Sequence, residues 1–198
     1  MKLITLFIIF LSNISLAHLG ADIYRNRCIT CHGNPNDSLP SPILHGQEKR
    51  YLTQTINQFK SGERTDHLMG SMNNMAASLS DEEIDQVTTF LAAADICDID
   101  EDINYQAPGW IEKFREGKQI IVKKNCMHCH DSFHHAAPRL YGQKKSYIIS
   151  SIEAFQADKR PGFFKMIQIA KTLKSDEVEK IAHYLHGMKL MRDCNTSR

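Results

Sequence analysis

Long apolar runs are almost missing from this sequence. The only one, Leu3–Leu11, is too short to span a bilayer, and no later stretch is long or apolar enough to do so. Strict alternation of apolar and polar residues, which is typical of half-buried strands, is also missing. These absences argue against a membrane-spanning segment and against a β-sheet, and they favour an all-α fold.

The first 17 residues have the composition of an export signal. Lys2 supplies a positive charge, the apolar run follows it, and small residues lead up to Ala17. This order is typical of a secretory signal peptide. We therefore predict cleavage near Ala17 and a location in the bacterial periplasm. An uncleaved membrane anchor is the alternative.

Charge is unevenly distributed, although the formal net charge is only +1. Residues 18–103 contain 14 acidic and 6 basic side chains, a net of −8, and residues 104–198 contain 9 acidic and 17 basic side chains, a net of +8. The basic half lacks interleaved aromatic residues, so nucleic acid is not an expected partner. Opposite fields of this kind can steer encounters with different proteins. Two solvated surfaces without a role are the alternative.

Two pentapeptides carry the chemistry that the sequence indicates, Cys28–His32 and Cys126–His130. In the C-x-x-C-H pattern, two thiols form thioethers with the haem vinyl groups and the adjacent histidine binds the iron. For a single copy, a redox C-x-x-C or half of a zinc site would remain open. Two copies predict two covalently bound haem c groups. The predicted attachment residues are Cys28, Cys31, Cys126 and Cys129, and the predicted axial histidines are His32 and His130.

The pentapeptide belongs to a longer unit that occurs twice. Residues 42–47 (Pro-Ile-Leu-His-Gly-Gln) correspond to residues 138–143 (Pro-Arg-Leu-Tyr-Gly-Gln), and matching positions continue through both halves. An internal repeat of this length predicts two homologous domains in tandem. The expected organisation is a signal peptide over 1–17, an N-terminal cytochrome c domain over 18–97, a linker over 98–108 and a C-terminal cytochrome c domain over 109–198.

Each unit is predicted to be helical from apolar residues at helical spacing. The expected helices cover 21–27, 48–60, 110–124 and 144–157, and one further helix ends each unit. Ser80 and Glu83 form a capping-box pattern before the last helix of the first unit. In the second unit Lys174 occupies the aligned position, so Ser175 is expected to cap the helix one residue later.

Methionines are the expected second axial ligands, because His/Met ligation suits electron transfer. Met72 and Met166 both lie seven residues before a leucine of the repeat, and they are the predicted pair. The alternatives are Met69, Met75, His67, His134 and His135, and none of the three histidines recurs at a matched position.

Pro42 and Pro138 follow the haem histidines by ten and eight positions. A backbone carbonyl at these positions can accept the Nδ1–H of the ligating imidazole and so orient the ring. Ordinary turn prolines are the alternative.

With these residues placed, the chain resembles the di-haem cytochrome c4 family from about Gly20 to Leu185. The most specific features are the Gly-Gln-x-x-x-Tyr element and the spacing from methionine to leucine, both of which occur twice. The resemblance implies two class I cytochrome c domains related by a pseudo-twofold axis, His/Met-ligated haems and electron carriage without enzymatic activity. One departure is the segment after His130, which lacks the usual glycine.

Two cysteines, Cys97 and Cys194, are not needed for haem attachment. Each follows the last helix of its unit. Under the pseudo-twofold axis that the resemblance implies, equivalent residues can meet at the axis, so we expect a disulfide between them, which an exported protein can keep. Free or intermolecular thiols are the alternative.

These features predict a periplasmic carrier that passes single electrons between a respiratory donor complex and a terminal oxidase or reductase. Its expected partners are redox proteins, and peripheral association with membrane complexes fits this role. The alternative is the di-haem cytochrome subunit of a larger redox enzyme, such as flavocytochrome c sulfide dehydrogenase. A di-haem peroxidase is a third reading, but it would need a longer chain.

Overall fold

The computed structural model describes residues 18–33, 40–66, 70–98, 103–131 and 137–191. The predicted signal peptide lies outside these residues, and so does Cys194. Every regular element among them is helical, which confirms the all-α prediction. Within the described ranges, no helix is both long enough and apolar enough to cross a membrane.

The described residues form two compact units. The first contains 18–33 and 44–98, and the second contains 40–43 and 103–191. The prediction had assigned 40–43 to the N-terminal domain. This segment groups with the second unit because the side-chain amide of Gln143 donates to the carbonyl oxygen of Ile43 (3.0 Å) and accepts from its amide (2.8 Å). The predicted domain and linker boundaries otherwise remain predictions.

The first unit contains a helical stretch at 18–23, a π-helical turn and four α-helices. The turn is Tyr24–Cys28, and the helices are α1 (Ile29–His32), α2 (Lys49–Ser61), α3 (Ser71–Ala77) and α4 (Asp81–Ala93), followed by a 3₁₀ turn at Ile96–Asp98. The predicted capping box is confirmed at the start of α4. The hydroxyl of Ser80 accepts from the Glu83 amide (3.1 Å), and the Glu83 carboxylate accepts from the Ser80 amide (2.8 Å).

The second unit contains five α-helices among its described residues. They are α5 (Trp110–Lys123), α6 (Met127–His130), α7 (Lys145–Gln156), α8 (Phe164–Lys171) and α9 (Ser175–Gly187), with a 3₁₀ turn at Met188–Met191. The prediction that Ser175 caps α9 is wrong, because Ser175 is already the first helical residue. Lys174 is the extended N-cap residue, and its amide donates to the Glu177 carboxylate (2.9 Å). An ammonium group cannot accept a hydrogen bond, so only half of a capping box forms.

A glycine allows two helices to pack backbone to backbone in each unit. A Cβ atom at Gly20 would lie 2.7 Å from Cβ of Phe90 in α4, and one at Gly117 in α5 would lie 2.7 Å from Cβ of Tyr184 in α9. Separations this short leave no room for a side chain. The early helical segment therefore lies directly against the last helix of its unit in both halves.

The doubled Gly-Gln element has the same backbone role in both units. The amide of Gly46 donates to the carbonyl oxygen of Leu91 (2.9 Å), and the amide of Gly142 donates to that of Leu185 (2.8 Å). Both glycines have positive φ angles, 69° and 73°, which L-residues rarely adopt. The turn that follows each haem-attachment region is thus tied to the end of the last helix.

Candidate haem sites

The four predicted attachment cysteines lie at the start of short helices. Cys28 ends the π-helical turn and Cys31 lies in α1, while Cys126 precedes α6 and Cys129 lies within it. All four have free thiols, the first of each pair half-buried and the second exposed. Burial raises the pKa of the Cys28 thiol to about 11, and the Arg27 guanidinium opposes this effect. Burial raises the pKa of Cys126 as well.

His130 has the orientation that an axial ligand needs. Its Nδ1 atom lies 2.8 Å from the carbonyl oxygen of Pro138, the contact expected from the sequence. A carbonyl can only accept, so Nδ1 carries the hydrogen and Nε2 keeps its lone pair. Burial lowers the pKa of His130, partly offset by this hydrogen bond, which favours the neutral ring that binds a metal. In the first unit His32 ends α1, and its predicted bond to the Pro42 carbonyl stays a prediction.

A basic side chain fastens each attachment segment to the methionine-bearing helix of its unit. Arg27 donates to the carbonyl oxygen (3.1 Å) and hydroxyl (2.6 Å) of Ser78, and it forms an ion pair with Glu83 (2.8 Å). Lys124 donates to the hydroxyl of Thr172 (3.1 Å), which is the repeat equivalent of Ser78. Sequence reasoning missed both braces. The signal was a basic residue just before each first cysteine.

The two predicted methionine ligands lie on equivalent helices. Met72 is the second residue of α3 and packs against the buried cluster that contains Phe59 and Leu79. Met166 lies in α8 and packs against the core of the second unit. Both side chains are half-buried. Their role as axial ligands remains a prediction, and the competitors His67, Met69, His134 and His135 lie outside the described residues.

Aromatic and cationic residues surround the methionine segments. The Arg64 guanidinium lies 4.5 Å from the centre of the Phe59 ring, and that of Arg160 lies 4.7 Å from the Phe155 ring, a stacking that recurs in both units. Sequence reasoning overlooked Phe163 and Phe164, which stand 78% and 70% exposed where α8 begins. Their only sequence signal was two adjacent aromatic residues directly before Lys165.

Cys97 is disulfide-bonded in this structure. Its amide also donates to the Asp95 carboxylate (2.9 Å), just beyond the last helix of the first unit. The predicted partner Cys194 lies outside the described residues, so the pairing of the two stays a prediction.

The donor set fits covalently bound haem. Each unit offers two free thiols within one helical turn, and the second also offers an imidazole with its Nδ1 atom engaged and its Nε2 atom available. Met72 and Met166, each on another helix of its unit, would supply the thioether of a His/Met pair of the kind found in electron-transfer haems. Cys28, Cys31, Cys126 and Cys129 would hold the two porphyrins, and His32 and His130 would bind the irons.

Comparison with known proteins finds one family model in each half of the chain. Residues 15–91 match the family model described as cytochrome c oxidase, cbb3-type, subunit III, and residues 114–189 match the model described as cytochrome c. A cytochrome c4 from Pseudomonas aeruginosa is 28% identical over 202 residues, with 94% of this chain and 98% of the relative covered. A protein of Stutzerimonas stutzeri named thiosulfate dehydrogenase electron acceptor is 28% identical over 182 residues, with 83% and 80% covered.

A solved structure agrees with these relatives. The cytochrome c4 of Acidithiobacillus ferrooxidans superposes with a TM-score of 0.65 at 27% identity, covering 81% of this chain and 97% of its own. Fold and site together define two c-type cytochrome domains in tandem. Both halves of the chain are cytochrome c domains, and the chain as a whole is similar to proteins named cytochrome c4. Its cofactors are two covalent haem c groups, and it is an electron-transfer protein rather than an enzyme.

Proposed function

We propose that this chain is a periplasmic carrier that passes single electrons between a respiratory donor complex and a terminal oxidase or reductase. The observation that carries the proposal is the duplicated site. In each unit an attachment segment is braced to the helix that bears a methionine, by Arg27 in one and by Lys124 in the other. A rigid ligand set keeps the reorganisation between oxidation states small, which suits a carrier.

Different side chains have different roles in the proposed haem sites. Haem iron supplies one-electron redox chemistry when it is bound. The cysteine pairs hold the porphyrins in place, and the Pro138 carbonyl fixes the ring of His130 and increases its basicity. Met72 and Met166 would supply the second protein ligand of each iron. Apolar cores behind both methionines keep water away from the iron ligands.

The charge distribution supports distinct redox protein partners. The acidic first half and the basic second half, −8 and +8, would attract partners of opposite charge. Lys165 and the exposed Phe163 and Phe164 lie beside Met166. A partner surface with acidic residues around an apolar patch would complement these three side chains. Association with membrane complexes would then be peripheral.

The test is a redox titration of the holo-protein combined with stopped-flow oxidation by a periplasm-facing oxidase. We expect two one-electron centres, both with the far-red absorbance band of Met-ligated ferric haem. We also expect an on-rate that falls as salt rises, because exposed charges are screened beyond about 10 Å at 0.1 M. Absence of the band from both haems would overturn the ligation by Met72 and Met166. A salt-independent on-rate would overturn the steering.

A second candidate is the dedicated electron-accepting cytochrome of a larger enzyme. It is favoured by the similarity to the relative named thiosulfate dehydrogenase electron acceptor. Flavocytochrome c sulfide dehydrogenase remains the alternative expected from the sequence. Affinity purification from the periplasm distinguishes these roles. A stoichiometric catalytic subunit, with or without flavin, would support the subunit role, whereas a monodisperse di-haem protein that reduces an oxidase directly would support the free carrier.

A further inference from the structure

A group of hydrogen bonds is centred on Asn73, a position that Ile167 occupies in the second unit. Asn73 is the third residue of α3 and directly follows Met72. Its Nδ2 atom donates to the carbonyl oxygens of Phe59 (2.9 Å) and Arg64 (2.8 Å). Its Oδ1 atom accepts from the amide of Asp66 (2.9 Å). One half-buried side chain thus joins α3 to the last turn of α2 and to the loop after it.

The same group of bonds reaches the backbone of Met72. The Asp66 carboxylate accepts from the Met72 amide (3.2 Å), while Asn73 holds the amide of Asp66. Met72 therefore lies in a closed ring of bonds that runs through Asp66 and Asn73. Its place relative to the loop depends on these polar contacts as well as on the apolar cluster behind it.

The second unit holds its methionine differently. The residue after Met166 is Ile167, whose side chain cannot form a hydrogen bond. The amide of Met166 donates to the carbonyl oxygen of Phe163 (2.8 Å), within the same turn. Both Met166 and Ile167 pack against the core of the second unit. The side-chain hydrogen bonds to this helix come instead from its other end, where the Gln156 amide donates to the carbonyl oxygens of Ala170 (3.0 Å) and Leu173 (2.9 Å).

We infer that Asn73 is a positioning residue for Met72, holding α3 against the loop at 62–66 so that the thioether stays available to the first iron. The inference rests on the proposed ligation of the first haem by Met72. When the Asn73 bonds are lost, α3 and the loop separate more readily, and an external ligand competes better with Met72. Ile167 stands in place of Asn73 in the second unit, so the affinity of the second haem for the external ligand should not change.

Titration of the ferric holo-protein with imidazole, followed by the far-red band, tests the role of Asn73. In Asn73→Ala we expect one haem to bind imidazole about tenfold more tightly, as the loss of a few modest hydrogen bonds predicts. The other haem should titrate as in the wild type. Asn74→Ala is the matched control, because Asn74 is the same residue type, one position along α3, and exposed. It should leave both titrations unchanged.

Two further variants keep the outcome decisive. Met72→Ala should remove half of the band, and a wild-type protein without the band would overturn the proposed ligation itself. If Met72→Ala behaves as expected but Asn73→Ala titrates like Asn74→Ala, only the positioning role is overturned. Asn73→Asp keeps the acceptor for the Asp66 amide and loses both donor bonds. It should bind imidazole as tightly as Asn73→Ala does, and it takes the place of the alanine variant if that variant loads haem poorly. An imidazole titration of Asn73→Asp that matches the wild type would overturn the inference.

Discussion

His183 shows how one half-buried side chain makes the second unit sensitive to acid. Its Nε2–H donates to the carbonyl oxygen of Trp110 (3.0 Å), and its ring lies 5.0 Å from the indole. Burial lowers the pKa of His183, the bond to Trp110 opposes the shift, and Lys113 and Lys145 add to it. Because the folded pKa is below the unfolded one, protonation favours the unfolded chain. This contribution to stability is complete above the unfolded pKa, about 6.5, and is lost as the pH falls through it.

His183→Gln should therefore flatten the acid side of the stability curve. Glutamine can still donate to the Trp110 carbonyl, but it does not titrate. We expect the melting temperature of the wild type to fall between about pH 7 and pH 5 and that of the variant to fall less. His18→Gln, which removes an exposed histidine, should follow the wild type. Parallel curves for His183→Gln and the wild type would refute the prediction.

At the scale of the elements, a glycine brings the early helical segment of each unit close to the last helix of that unit. Helices α5 and α9 meet at Gly117, where the backbone of Lys180 and the Cβ atom of Tyr184 occupy the space that a side chain would need. The first unit repeats this at Gly20. The two helices that flank each haem-binding region are therefore placed by a glycine that has no chemical role.

Gly117→Ala should destabilise the second unit even though alanine favours helices by about 1 kcal/mol over glycine. Overpacking of this kind costs about 1–3 kcal/mol, because the backbones must move apart. Lys118→Ala is the control, since Lys118 is exposed on the same helix and should change stability by less than about 0.5 kcal/mol. Denaturant unfolding of the holo-proteins measures both. An unchanged or raised midpoint for Gly117→Ala would contradict the close approach.

At the scale of the whole molecule, a disulfide is predicted to link the ends of the two repeats. Four of the six cysteines are the predicted haem-attachment residues, and Cys97 carries a disulfide. Cys194 is its predicted partner. A bridge that closes a loop of nearly 100 residues would stabilise the protein by about 5 kcal/mol in the chain-entropy description.

Alkylation and mass measurement test this bridge. The unreduced holo-protein should contain no thiol that can be alkylated, and reduction should expose two. Cys97→Ser should leave one reactive thiol without reduction and lower the unfolding midpoint. The double variant with Cys194→Ser is the control for dimers formed through a single thiol. Two alkylatable thiols in the unreduced wild type would exclude the disulfide.

The sequence alone was sufficient for the features that depend on local spacing. Haem attachment needs two thiols and a histidine at fixed separation, and helix formation needs apolar residues at a fixed period, so the two haem sites and the all-α fold were readable without coordinates. The repeat also favours Met72 over Met75 as the axial ligand, which stays a prediction. None of this depends on how distant parts of the chain meet.

Tertiary structure decided what depends on packing between distant residues. Some of these contacts join positions that are far apart in the chain, such as the braces from Arg27 and Lys124 and the close approaches at Gly20 and Gly117. The ring of bonds through Asn73 instead depends on a loop that has no regular period. Residues 40–43 likewise group with the second unit because Gln143 binds the backbone of Ile43, 100 positions away. Such contacts follow from folded geometry, which residue spacing does not encode.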